Sequence, residues 1–459
     1  MEGDPLVFLI RRAKIEDVGT LLKLAKMVHF INLPAERDII TSKVMRSREG
    51  FLKALNVEPG AELSRGPGSN APRGGAGQPH TGGAGATNGN TKSGSARHSL
   101  AASSATESVA PNSSGISTGS GSPHDPNTLR GSGAGSSDAG LASQIQSSDL
   151  FMFVLEDLTV ADDKGGGILG TSQIITRMGG PGRPNVSFKL SRKEMFSSTL
   201  QVGATHILAK LFLDESGPTE IGGLILQPSY RGHKLRLGRF LSLVRFHVMG
   251  LYRELFSDRV LAEMMGPLTP DGHNTMWEYL GRRFINLTYA EADSFCQYSK
   301  EFMTSLLPRE EIYLTLLPPE ARAVIGQVGP ETMPARKMLE KLGFQYRDHI
   351  DPFDGGPHLE AMTNDITIVR NTQRSQLGDP IAPGECDTHG FVSVLEGDGE
   401  FRAIETDFAM DKKGRVCLTK SQMKILGAQD GMMAGLTIMD AGAAATAGKR
   451  SRSASQTRK

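Results

Sequence analysis

The residues that most invite a chemical reading are the cations and glycines Arg231, Gly232, Lys234, Arg236 and Gly238. They fall inside the stretch Glu220–Arg245, E-I-G-G-L-I-L-Q-P-S-Y-R-G-H-K-L-R-L-G-R-F-L-S-L-V-R. A glycine-bearing loop that opens a helix turns free backbone N–H groups and the positive end of the helix dipole on one spot, which suits a phosphate. Neighbouring cations add charge-assisted contacts. The spacing is neither that of a P-loop nor of G-x-G-x-x-G, so the chemistry it suggests is a pyrophosphate cradle of non-standard form. The competing reading is that the cations only solvate the start of a helix.

Such a loop needs a strand before it and a helix after it. Ile221, Leu224, Ile225 and Leu226 supply the strand, with Gly222-Gly223 marking a bulge or a close backbone approach. Leu237, Phe240, Leu241, Val244, Val248 and Leu251 fit one face of a helix. A first strand is expected at Leu6–Ile10, followed by a helix after Asp17 with Val18, Leu21, Leu22, Ala25 and Val28 inward. Further on, a hairpin is expected from Phe151–Asp157 and the run G-I-L-G-T-S-Q-I-I-T, then strands at Ile207–Leu213, Glu220–Gln227 and Arg259–Met265. Residues 267–327 read as mostly helical. Thr332–Phe344 is a helix with Thr332 as its cap, Pro334 in its first turn and Gly343 as its left-handed stop. A last core hairpin spans Tyr346–Val369 around the turn D-P-F-D-G-G-P, Asp351–Pro357.

Five regions follow: 1–58 as the first part of the core, 59–148 as an insertion, 149–371 as the main core, 372–440 as a small β-rich appendage, and 441–459 as a basic tail. The insertion is almost wholly Gly, Ser, Ala, Asn, Thr and Pro, too poor in apolar surface to offset chain entropy, and is expected to be a disordered coil of roughly 50 Å. In the appendage, strands are expected at Phe391–Leu395, Phe401–Thr406 and Val416–Leu418, with a helix starting at Thr419 in a capping-box pattern with Gln422.

The formal net charge of +1 gives no general pull toward nucleic acid or membrane. The three cysteines Cys296, Cys386 and Cys417 are odd in number and lack metal-ligand spacing, which favours a reducing compartment. The acidic leader and the lack of a long apolar run point to a cytoplasmic protein.

The strand, bulge, cationic loop and helix, with a later helix ending in G-F, resemble the acyl-CoA N-acyltransferase (GNAT) fold. The strings F-V-L-E-D (Phe153–Asp157), D-R-V-L-A-E-M-M-G (Asp258–Gly266), W-E-Y-L-G-R-R-F (Trp277–Phe284), I-G-Q-V (Ile325–Val328), P-A-R-K-M-L-E-K-L-G-F (Pro334–Phe344) and I-D-P-F-D-G-G-P-H-L-E (Ile350–Glu360), together with N-L-P (Asn32–Pro34) and F-R-A-I (Phe401–Ile404), resemble the arginine N-succinyltransferase family. The resemblance covers most of the chain outside the insertion and the tail. It implies an α+β fold with a mixed, mostly antiparallel central sheet flanked by helices, two of whose strands splay to admit pantetheine. It also implies succinyl transfer from succinyl-CoA, as co-substrate, to the α-amine of arginine, with no metal, and a homo-oligomer or pairing with a related subunit. The family's succinyl-CoA-binding leucine falls on Leu224. Its G-x-G ahead of the helix reads R-L-G here, at Arg236–Gly238, and its proton-donor histidine is replaced by Gly329. The superfamily's tyrosine acid is Leu339. A catalytically degenerate relative that binds acyl-CoA or an amino acid is therefore the second reading.

The implied reaction needs a base for the α-ammonium and donors for an oxyanion, which a bulge at Gly222-Gly223 could offer. Glu220 and Glu263, on the strands expected to splay, are candidate bases through water, each also readable as a structural carboxylate. Asp351, Asp354 and Glu360 are candidates for a guanidinium substrate, the aspartates also readable as turn residues. His358 could replace the missing histidine or be a surface residue.

Overall fold

Runs of Val, Ile, Phe and Leu recur along the chain. In the computed structural model, which describes residues 8–27, 33–56, 148–160, 167–296 and 298–439, they join edge to edge in one large sheet. Its strands are β1 (Phe8–Arg12), β2 (Leu150–Asp157), β3 (Ile168–Ile175), β4 (Asn185–Ser197), β5 (Val202–Asp214), β6 (Thr219–Leu226), β7 (Arg259–Glu263), β8 (Ile312–Tyr313), β9 (Gln345–Ile350), β10 (Pro357–Met362), β11 (Thr372–Gln376), β12 (Thr388–Glu396), β13 (Glu400–Met410), β14 (Val416–Cys417) and β15 (Met433–Ile438). Their spatial order is β11-β15-β12-β13-β1-β2-β3-β6-β7-β10-β9-β4-β5-β8, with β14 on β13. Among the described residues only β6 and β7 pair in parallel. The insertion expected at 59–148, apart from Ser148, and the tail 441–459 lie outside the described residues, as does Asn32.

The parallel pair is brief, confined to Thr219 opposite Val260 and Glu220 opposite Leu261. Beyond that point the two strands part. On its other edge β6 pairs with β3, and the register slips between Thr171 and Gln173 at the expected bulge. Gly223 sits there at φ +56°. A Cβ on it would lie 2.7 Å from the Gln173 side chain, so both conformation and space require glycine.

The helix Leu237–Leu251 forms where the apolar spacing puts it. It is buried on all sides and not only on the expected face, Ser242, Arg245 and His247 included. The cause is the length of the sheet: β3 and β6 pack on one side of this helix, and β11 and β15 return to cover another. Its Phe246 joins Phe51, Phe151, Phe153 and Phe401 in the main core. His247 is accommodated by two hydroxyls, Nδ1 2.6 Å from Thr437 Oγ1 and Nε2 2.7 Å from Ser393 Oγ.

The strands after residue 372 do not stand apart as an appendage. β13 pairs with β1, so they extend the main sheet, although Leu377, Val392, Ile404 and Leu436 share a second core with Leu9. The helix Lys420–Leu426 begins as expected, with Thr419 and Gln422 in reciprocal capping bonds. Thr332 does not cap: its backbone is already helical and its side chain makes no capping bond to the helix Met333–Lys341. The stop of that helix is as expected, with Gly343 at φ +100° and the Phe344 N–H donating to Leu339 O at 3.1 Å. No helix among the described residues is long and apolar enough to cross a membrane.

Candidate active site

Where β6 and β7 part, a cleft of about 1250 Å³ opens. The loop between β6 and the helix Leu237–Leu251 forms one end of it, and Leu224, Arg231, Gly232, Lys234, Arg236 and Gly238 all line it. Lys337 and Lys341 face it from the helix Met333–Lys341. Neither lysine is among the expected site residues, although their i, i+4 spacing sets them on one helix face. Arg231 does not come unaccompanied: its Nη1 donates to Glu331 Oε2 at 2.8 Å across the rim.

Arg236, the first residue of R-L-G, adopts a backbone conformation that suits glycine. It precedes the helix at φ +51°, ψ +44°, a left-handed conformation that costs an L-residue roughly 1–2 kcal/mol. Strain is thus accepted in exchange for a cation at the helix N-terminus. Arg236→Gly is expected to raise stability toward urea by about 1 kcal/mol and to weaken CoA binding several-fold. Calorimetric titration with CoA beside urea melts reads both, and stability and affinity falling together would contradict the assignment.

At the other end, β7 and β10 pair so that Glu263 lies directly opposite His358. His358 Nε2 is 3.9 Å from Glu263 Oε1 and 4.0 Å from Asp351 Oδ2, ion-pair distances with no hydrogen bond made. Burial works against the imidazolium, but Asp351 and Glu263 outweigh it and raise the His358 pKa. The same pairing, against the cost of burial, holds the Asp351 carboxyl below its ordinary value. Asn185 Nδ2 donates to Glu263 Oε1 at 3.0 Å.

Glu263, Asp351 and His358 each place one ligand atom within 4.8 Å of the others, a spacing able to hold a small cation. Lys300 already brings positive charge to the same place. Burial opposes its ammonium, yet Glu263, Cys296, Glu220 and Asp351 carry its pKa upward.

The turn Asp351–Pro357 is held by stacking of Phe353 on Trp277, ring centroids 4.9 Å apart. Its carboxylates divide by role. Asp354 accepts from the N–H groups of Gly266 at 2.8 Å and Gly356 at 2.7 Å, so both its oxygens serve the turn. Burial, then Asp351, push its pKa up to about 8. Asp351 gives Oδ1 to the Phe353 N–H at 2.7 Å and keeps Oδ2 toward His358. Glu360 is taken by Arg259 Nη1 at 2.5 Å and does not line the cleft. Its own arginine leaves it little to offer a second guanidinium. His358 is 3% exposed, which removes the surface reading of it.

Glu220 also stands back from the cleft wall, 2% exposed, with Oε2 lacking a hydrogen-bond partner. Burial, then Glu263, push its pKa up to about 7. A carboxyl raised on folding binds more protons in the folded state between the unfolded value near 4.5 and about 7, so its contribution worsens as pH rises through that window. Glu220→Gln is therefore expected to raise the thermal midpoint at pH 8.5, with on the order of 3 kcal/mol at stake. The two proteins should melt together near pH 4. A variant less stable than the parent at pH 8.5 would show that the charge is compensated.

Against known proteins, a family model described as the arginine N-succinyltransferase beta subunit matches residues 110–368, more than half of the chain. The chain belongs to the arginine N-succinyltransferase family. The arginine N-succinyltransferase of Yersinia pestis (strain Pestoides F) is 35% identical over 287 residues, 61% of this chain and 79% of that protein. That of Yersinia enterocolitica serotype O:8 is 38% identical over 258 residues, covering 55% and 72%. That of Escherichia coli O1:K1 is 37% identical over 284 residues, covering 60% and 78%. The solved structure of arginine/ornithine succinyltransferase subunit AI from Pseudomonas aeruginosa matches at a TM-score of 0.62 and 20% identity, over 94% of this chain and 99% of that one, and so shares the fold. Gly329 donates its N–H to the carbonyl of the cleft residue Met265 at 3.2 Å.

Proposed function

We propose that this protein transfers succinyl from succinyl-CoA to the α-amine of L-arginine, as a cytoplasmic enzyme of arginine catabolism. The observation that carries the reading is the layout of one cleft, with cations and a helix N-terminus at one end and Glu263 and Asp351 at the other. Leu224 and the bulge lie between them. This supports a GNAT-like arrangement in which pantetheine takes the place of the missing pairing between β6 and β7. From Leu226 back to Gly222 the strand rises about 13 Å, which sets the thioester beside the bulge when the pyrophosphate is on the loop.

The amine must lose a proton before it attacks. Glu263 is the carboxylate that both lines the cleft and keeps an oxygen free of a strong partner, so it takes that role, directly or through water. The amine nitrogen then bonds to the thioester carbon. Backbone N–H groups at the bulge meet the oxyanion, and collapse breaks the C–S bond, releasing CoA. Asp351 is left to meet the positive side chain of the substrate, since Asp354 and Glu360 are engaged elsewhere. His358 keeps Glu263 and Asp351 together as a shared counter-ion. Three free thiols accord with a reducing compartment, and the subunit wording of the matched family supports assembly with a second chain.

Purified protein with succinyl-CoA and arginine, followed by release of free CoA, tests the reading. CoA binding without turnover on arginine, ornithine or other amines would overturn it in favour of a binding protein.

A further inference from the structure

Arg245 is a buried cation that the reaction as described does not use. It sits in the helix Leu237–Leu251, 3% exposed, and lines the cleft beside Gly222. Its Nε donates to Ser242 O at 2.9 Å and its Nη2 to Ser242 Oγ at 2.6 Å. Nη1 reaches Gly222 O only at 3.5 Å, the limit of a hydrogen bond. These acceptors are all neutral, and among the described residues no carboxylate pairs with it. Burial accordingly lowers its pKa to about 9. A guanidinium enclosed without a counter-ion costs several kcal/mol, a cost that an anionic ligand would offset.

Position identifies the anion. The phosphate-binding loop ends where the helix begins, and Arg245 lies eight residues further, about 12 Å along the axis. Its guanidinium turns back only as far as Ser242, about 7.5 Å from the helix start, beyond contact with a pyrophosphate on the loop. Gly222, its neighbour on β6, is at the level of the bulge where the thioester is placed. What extends past the thioester is the acyl chain. We propose that Arg245 binds the terminal carboxylate of the acyl group and thereby selects a dicarboxylic acyl thioester over a neutral one of the same shape. Ser242 fixes one side of the guanidinium fork, and Nη1, the weakly engaged arm, is the one that turns to the carboxylate.

The inference rests on the cleft being an acyl-CoA site, and it is tested without arginine. Affinities of succinyl-CoA and of 4-methylpentanoyl-CoA, which carries an isopropyl group in place of the carboxylate, are measured by calorimetry on the parent protein, Arg245→Met and Arg245→Gln. The parent is expected to prefer succinyl-CoA on the order of 10- to 100-fold, and both variants should bind the two thioesters about equally. Glutamine keeps a donor for Ser242 and serves if the methionine variant misfolds. A parent with no preference, a preference that survives both substitutions, or an equal loss for both thioesters would each overturn the assignment. Selectivity in binding without turnover on arginine would leave it standing and remove the transfer reading alone.

Discussion

Glu263→Gln is expected to lower turnover of succinyl-CoA with arginine by about 10²–10⁴-fold, the usual worth of a positioned general base. The acid is at the splayed end of β7, in the cleft wall, with Asn185 donating to one oxygen at 3.0 Å and His358 opposite. Glutamine keeps the size and the carbonyl acceptor and removes the proton-accepting charge. CoA binding should stay within about threefold, because the cations proposed to hold it are at the far end of the cleft. Free CoA release under saturating substrates gives the rate, and calorimetry gives the affinity. A rate within threefold of the parent would exclude Glu263 as the base and move attention to Glu220, the other carboxylate on the parting strands.

Gly329→His is expected to raise turnover at least tenfold. Departure of CoA places negative charge on sulfur, and protonation there by an imidazole belongs to the same range of general-acid effects. Glycine at 329 supplies no such group. The backbone can carry one: Gly329 is not left-handed, and a Cβ built on it has Gly266 O at 3.5 Å and Pro267 Cα at 3.8 Å as nearest atoms, ordinary contact distances. Its carbonyl already accepts from Thr332 and Met333, so the turn is held without a side chain. The gain should appear with a falling alkaline limb as the imidazole loses its proton. An unchanged rate and pH profile would mean that leaving-group protonation does not limit this enzyme, or is supplied by another acid such as His358.

The cationic end of the cleft was legible because it is local. Arg231 to Gly238 are neighbours in sequence, and a strand-loop-helix unit brings them together wherever the rest of the chain goes. The acid end was half legible. Glu263, Asp351 and His358 were each visible as polar residues near strand ends, but only the pairing of β7 with β10 makes them one cluster. Lys43 and Lys300 were not legible at all. Lys43 lies off the buried face of the helix Arg37–Leu55, and each lysine acquires meaning only from its nearness to Glu220. Burial lowers the pKa of Lys43 to about 8 against the pull of that carboxylate. Among the elements, β4 was missed because its outer half, Ser191 to Phe196, is exposed on both faces and shows no alternation. β11, T-Q-R-S-Q, has no apolar residue and is a strand because β15 pairs with it. The all-round burial of the helix Leu237–Leu251 was hidden for a related reason, since its cover comes from strands far along the chain.

That cover has a kinetic meaning. Thr437, Ile438 and Met439 line the same cleft as Leu224, and β15 pairs with β12 beside the helix that carries Arg245. The cleft wall is therefore completed by some of the last described residues to leave the ribosome. Until they dock, the helix presents its back, with His247, to solvent or to chaperones. Contacts of such long sequence separation close slowly, so binding competence should trail the appearance of secondary structure during refolding.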